Sequence, residues 1–324
     1  MNKKTIIVIA GLLALLCAVL LGIYFTTKSA QEQLEAPGEF TFTDDNEAQI
    51  TLRTKDPRVV SLVSSYTEIW LDGGGKLVGV TNDAITERDF GLTEQTCQPV
   101  GTTHEPNLEL ILSLQPDLVL LNPAQESHVS AQPILEQAGI ACAYFEVEEL
   151  EDYLRVLKIV TDLYETPQRY EEKGLAAQKL VEQIKEQAQT AKTPPNVLVL
   201  RAYGTGVKVK AGEKELICRM LDDLGAQNIA DKTPSLLEEL SLEVIVQEDP
   251  DAIFIVTMGS DAQAIQAVIQ SALYDQPAWQ GLTAVKENRV YQMPKDLFHY
   301  KPNSRWGESY EYLARLLYPD LFEA

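Results

Sequence analysis

Basic side chains are scarce in this 324-residue chain: 27 Lys and Arg stand against 48 Asp and Glu, for a formal net charge of −21. A field of that sign repels phosphate backbones and anionic headgroups, which excludes a nucleic-acid partner. Histidine is rarer still, with three copies at positions 104, 128 and 299. They are too dispersed to build a dedicated divalent-metal site, so no metal site and no resident cofactor is expected. Four cysteines are too few for a disulfide scaffold. Cys97, Cys142 and Cys218 read instead as buried free thiols. Catalytic signatures are missing too: no Ser-His-Asp or metal-hydrolase motif stands out. Gly73-Gly74-Gly75 lacks the Lys-Ser/Thr of a phosphate loop and reads as a helix-to-strand turn. Apolar content is ordinary, 45% hydrophobic against 23% charged, which excludes a disordered or fibrous chain.

The N-terminus carries the one long apolar run. Lys3 and Lys4 precede an uncharged stretch from Thr5 to Phe25, long enough as a helix to cover a bilayer core of about 30 Å. The preceding lysines keep the N-terminus inside and place everything after Lys28 on the outer face of the membrane. Residues 1–28 are read as an uncleaved anchor, with cleavage and lipidation left open. Lys28-Ser29-Ala30 is a poor cleavage site, and Leu16 rather than a small residue precedes Cys17. Each fate leaves the body extracytoplasmic. Residues 29–55, rich in Gln, Glu, Thr and Asp, read as a tether with a short strand at Phe40–Phe42.

From Asp56 onward, short apolar runs alternate with helical patterns. Strands are expected near Arg58–Val63, Lys76–Val80, Leu118–Leu121 and Ala141–Phe145, then near Val197–Leu200, Ala252–Val256 and Val290–Met293. Between the two sets, residues 148–192 carry helical periodicity through Leu154, Leu157, Val160 and Leu163, and again through Leu175, Leu180 and Ile184. Pro167 divides that stretch into two helical pieces. Trp306 to Leu317 closes the chain as an amphipathic helix. The expected fold is α/β: two Rossmann-like lobes with parallel central sheets, residues 56–147 and 193–324, joined by a long helical linker.

An internal repeat supports two lobes of one plan. Asn107-Leu108-Glu109 leads to Pro116-Asp117 and the strand Leu118–Leu121. Ser241-Leu242-Glu243 leads to Pro250-Asp251 and the strand beginning at Ala252, offset by 134 residues throughout. Each copy reads as a capped short helix, a Pro-Asp turn and a buried strand.

Taken in order, these segments resemble the extracytoplasmic solute-binding proteins of the iron-complex and vitamin B12 uptake class. The resemblance covers roughly Arg58 to Leu317. It rests on Val59-Val60-Ser61-Leu62 with Thr67-Glu68, Leu77-Val78-Gly79-Val80, Asn107-Leu108-Glu109 with Gln115-Pro116-Asp117, Leu224-Gly225-Ala226-Gln227-Asn228-Ile229-Ala230, Ser241-Leu242-Glu243 and Tyr318-Pro319. It implies a monomer that holds a bulky ligand between two lobes and hands it to an ABC permease. It also implies that one glutamate on each lobe, Glu109 and Glu243, meets arginines of that permease. A helix-dipole role explains each acid singly; paired carboxylates on separate rigid lobes suit two-point recognition by arginine forks.

Ligand groups in such a fold come from loops after the strand ends. On the first lobe these offer Tyr66, Thr103 and His104, and on the second Arg201 and Tyr203. The run Leu297–Trp306 adds Phe298, His299, Tyr300 and Arg305. Aromatic faces suit flat or lipophilic ligands and arginine suits carboxylate or catecholate oxygens. Several have plainer explanations: Trp306 as the first core residue of its helix, Phe298 as a loop anchor and His104 as a solvated side chain. A ferric siderophore is the first expectation, corrinoid and haem the alternatives. Outside that class stand a chelatase-like enzyme and a tethered sensor without a permease.

Overall fold

The computed structural model describes residues 38–212 and 215–322. The anchor expected over residues 1–28 lies outside them. Among the described residues no helix is long and apolar enough to cross a membrane.

Two strands open the described chain, β1 (Phe40–Thr43) and β2 (Gln49–Leu52), paired antiparallel with Phe40 opposite Leu52. Residues 40–52 were expected within a tether carrying a short strand at Phe40–Phe42; that strand is β1, and with β2 it forms a hairpin docked on the first lobe. The alternation of Phe42, Ile50 and Leu52 buries one face. Asp44 and Asp45 do the rest. Asp44 accepts from the backbone of Asn46, Ala48 and Tyr144, and Asp45 accepts from Glu146 N–H and pairs with Arg155.

The first lobe is a five-stranded sheet of β3 (Val59–Ser61), β4 (Gly79–Val80), β5 (Gln98–Pro99), β6 (Leu118–Leu121) and β7 (Ala141–Tyr144). Its spatial order is β5-β4-β3-β6-β7, all parallel. The second lobe holds β8 (Asn196–Tyr203), β9 (Gly206–Lys210), β10 (Gln227–Asn228), β11 (Ala252–Thr257) and β12 (Val290–Gln292). The parallel order there is β10-β8-β11-β12, with β9 antiparallel to β8. Parallel strands need covered faces on both sides, and the sequence supplies them by alternation. In β6, Leu118 and Leu120 face one core while Val119 and Leu121 face another; in β11, Phe254 opposes Ile253 and Ile255 in the same way.

One core is therefore private to each lobe and a third runs through both. The shared core joins Val59 and Leu118 of the first sheet to Val199 and Phe254 of the second through Leu157, Val160, Val181 and Ile184 of the linker. The linker is two helices, Leu150–Leu163 and a continuous helical run from Pro167 to Ala188 that widens to a π-type turn at Tyr170–Leu175. The break falls at Glu165, in the left-handed region at φ 54, with Pro167 at the first helical position. The last helix, Trp306–Leu317, crosses the Ala176–Ala188 helix at Gly307. A Cβ there would come within 2.6 Å of the Leu180 side chain, so any larger residue would force that side chain to shift.

Candidate functional site

The two copies of the internal repeat fold alike. Asn107 and Ser241 cap the helices Leu108–Ser113 and Leu242–Glu248, each side chain accepting from the N–H three residues on, at 3.0 and 3.4 Å. The helices end at Gln115 and Asp249, both at positive φ (47 and 42) before a proline. Asp117 then accepts from Arg58 N–H at 2.7 Å, and Asp251 from Asn196 N–H at 2.8 Å, tying each turn to the neighbouring strand. Glu109 and Glu243 are exposed at matched places.

The segment after Phe298, in the second lobe, reaches across to the first. Tyr300 Oη donates to Glu87 at 2.8 Å. Its ring lies 4.3 Å from the Arg88 guanidinium, which has Phe90 at 4.8 Å as well. Arg88 Nη2 donates to Glu68 at 2.7 Å, and Glu68 also accepts from Asn303 Nδ2 at 2.8 Å. Burial pushes the Glu68 carboxyl up, opposed by the nearby Arg88 charge and the Asn303 bond. Lys301 reaches Glu148, and Arg219 reaches Glu149, closing the same seam.

The expected ligand residues divide into three groups. His299, Tyr300 and Arg201 come together: the His299 ring packs on Tyr300 at 4.8 Å, and the charges of Arg201 and Lys295 act on it. Burial first, and those charges second, lower its pKa to about 4, so the imidazole is neutral at pH 7. Arg201 donates to Glu215 at 2.8 Å, a carboxylate shared with Lys210. Tyr203 stands half-buried at the end of β8. A second group lies on the first lobe alone: Thr103 accepts from Ser127 through its carbonyl, and the exposed His104 contacts Gln125 at 2.9 Å. Together His104, Gln125, Glu126, Ser127 and Ser130 rim a depression of about 460 Å³.

In the third group packing corrects two readings, those of Tyr66 and Phe298. Tyr66 is 2% exposed and its hydroxyl is spent on Phe145 O and Asn122 Nδ2. Phe298 is 0% exposed and packs on Tyr312. Both are core residues. Arg305 forks onto Glu308 at 2.7 Å, an ion pair within the start of the last helix. Trp306 is buried, as its place in the helix implied, and Cys97, Cys142 and Cys218 are buried free thiols. Sequence reasoning missed Glu87 and Arg88. Their one signal was a charged pair ahead of Phe90, a few residues beyond the end of a strand.

Among the described residues no three His, Cys, Asp or Glu side chains converge to hold a metal ion. A separate depression of about 670 Å³ lies away from the junction, between Thr190–Thr193, Arg289 and Leu317–Leu321.

Comparison with known proteins agrees with this architecture. The sequence profile of a family described as periplasmic binding proteins matches residues 59–297. An uncharacterized ABC transporter substrate-binding lipoprotein of Bacillus subtilis, YvrC, is 27% identical, covering 87% of each chain. The Fe(3+)-citrate-binding protein YfmC of the same organism is 24% identical over 91% of each. The crystal structure of Staphylococcus aureus IsdE complexed with heme aligns with a TM-score of 0.63 at 19% identity, covering 81% of this chain and 99% of that one. That likeness supports the two-lobed fold. Matched by the family profile over most of its length, the chain belongs to the periplasmic binding proteins.

Proposed function

We propose that the chain captures an iron complex between its lobes on the outer face of the membrane and delivers it to an ABC permease. The observation that carries this is the junction itself: cations and aromatic rings from both lobes, Arg88, Arg201, His299 and Tyr300, meet at one seam. Such a set suits an anionic, oxygen-rich chelate. Relatives named for ferric citrate and for haem uptake support the same ligand class. A ferric siderophore is the first choice, with corrinoid and haem the alternatives; for haem, His299, Tyr300 or Met258 are the candidate axial groups. Glu109 and Glu243, exposed on matched helices of separate lobes, are the proposed contacts with the permease. The segment before residue 38 serves in this reading as the membrane tether.

A thermal-shift panel with ferric citrate, a ferric catecholate, haem and cobalamin tests the assignment. A ligand at 100 times its dissociation constant adds about 2.7 kcal/mol of stability. Stabilisation by an iron complex is expected; stabilisation by cobalamin alone would replace it with the corrinoid reading.

A further inference from the structure

Arg88 is the most deeply buried cation of the junction. Its side chain is 5% exposed, and the Glu68 carboxylate that pairs with it is 16% exposed. A guanidinium brings five N–H donors, and burying it leaves a penalty for each one that finds no acceptor. Nη2 is taken by Glu68, while the Phe90 and Tyr300 rings lie 4.8 and 4.3 Å from the cation. Nη1 is buried and has no hydrogen-bond partner among the described residues. Two further buried nitrogens around the same rings share that condition: Arg201 Nε and His299 Nδ1. His299 is acted on by both Arg88 and Arg201, so the three belong to one neighbourhood.

A purely structural ion pair would spend its donors on the protein. Here Glu68 divides its carboxylate between Arg88 and Asn303 and leaves Nη1 over. We infer that Arg88 is an anion-binding residue of the cleft, whose Nη1 takes a carboxylate or catecholate oxygen of the bound complex, and that Tyr300 is its displaceable cover. The inference rests on the iron-complex reading above and narrows it to ligands that present a charged oxygen. The corrinoid periphery, which carries amides, does not need such a group.

The cover follows from the geometry. Tyr300 comes from the second lobe, lies on the Arg88 cation and is held there by its bond to Glu87 of the first lobe. An oxygen reaching Nη1 must move that ring aside and break that bond. The phenol is thus an internal competitor, and the bond to Glu87 sets part of the cost of admission.

The test uses the full chain with ferric citrate, a ferric catecholate and haem as probes, affinity being read from tryptophan fluorescence and folding from circular dichroism. Arg88→Lys keeps a cation beside Glu68 but loses the fork, and Glu68→Gln with Arg88→Gln removes both charges together. Both variants are expected to bind ferric citrate at least about tenfold more weakly. Tyr300→Phe leaves the ring in place and the Arg88 site intact; it is expected to bind about three- to tenfold more tightly, the worth of one released hydrogen bond. A folded Glu68→Gln/Arg88→Gln protein with native affinity overturns the role of Arg88, and unchanged or weaker binding by Tyr300→Phe overturns the cover. If the unaltered protein binds none of the three probes, the iron-complex reading itself falls and takes this inference with it.

Discussion

The unit Asn107–Leu121 in the first lobe and its counterpart beginning at Ser241 in the second share caps, turns and strand ties, yet the loops around them have diverged. In both, a side-chain cap starts a short helix, a residue at positive φ ends it, and an aspartate holds the next lobe strand. Beyond the units, the first lobe docks the β1–β2 hairpin against β7, whereas the second covers β8 with the antiparallel β9. The first lobe contributes Glu68, Glu87 and Arg88 to the junction, and the second sends in Tyr300 and Asn303. Local turn chemistry tolerates little change, because each group in it satisfies a backbone donor or acceptor. Loops above strand ends carry no such constraint and are free to specialise.

The strongest way to break this two-lobe picture is through the core they share. Phe254 is 0% exposed and belongs to the shared core, so Phe254→Ala should cost about 3 to 5 kcal/mol in denaturant unfolding. A single cooperative transition lowered as a whole is expected. Two transitions, with only one of them shifted, would show that the lobes melt independently.

Acid should weaken both lobes by parallel means. His128 in the first and His299 at the junction are each lowered to about 4, chiefly by burial. Between pH 6.5 and 4 the unfolded chain binds these protons and the folded one does not, so stability falls as pH falls through that window. The loss should be roughly 1 to 3 kcal/mol per histidine, discounted for partial exposure. Denaturation at pH 7 and pH 4.5 measures it, and His128→Gln and His299→Gln should each flatten the dependence. A variant that keeps the full slope would remove its histidine from the account.

The repeat itself is sharpened by Asp117→Ala and Asp251→Ala. Each deletes a carboxylate that accepts one strand N–H, and each is expected to cost about 1 to 2 kcal/mol. Equal losses sustain the equivalence of the two turns; a gap larger than about 1 kcal/mol breaks it. Smallest in stability should be Glu109→Ala and Glu243→Ala, within about 0.5 kcal/mol of the parent because both groups are exposed. Their effect should appear in iron uptake by cells, lost without change of ligand affinity, and intact uptake would end the docking proposal.

Much of the fold was legible because it is periodic. Leu118–Leu121 and Trp306–Leu317 fall within the bounds that their patterns implied. The two-residue strands β4, β5 and β10 were partly or wholly hidden, since so short a run has no pattern of its own. The return strand Gln49–Leu52 of the hairpin was obscured by the acids before it, which mark a tether by composition but accept from backbone groups in the fold. At the junction, residue type picked out His299, Tyr300 and Arg201 as ligand groups, and the fold brings those three together. It misplaced Tyr66 and Phe298, whose aromatic faces serve the core equally well.

Sequence by itself determined the two-lobe plan, the linker between them, the capped turns and the pair of matched glutamates, all of which arise from spacing along the chain. Tertiary structure alone decided that Glu87 and Arg88 meet Tyr300 and that Glu68 meets Asn303. Those partners are more than two hundred residues apart, and only the packing of both sheets on one shared core brings them within hydrogen-bonding distance.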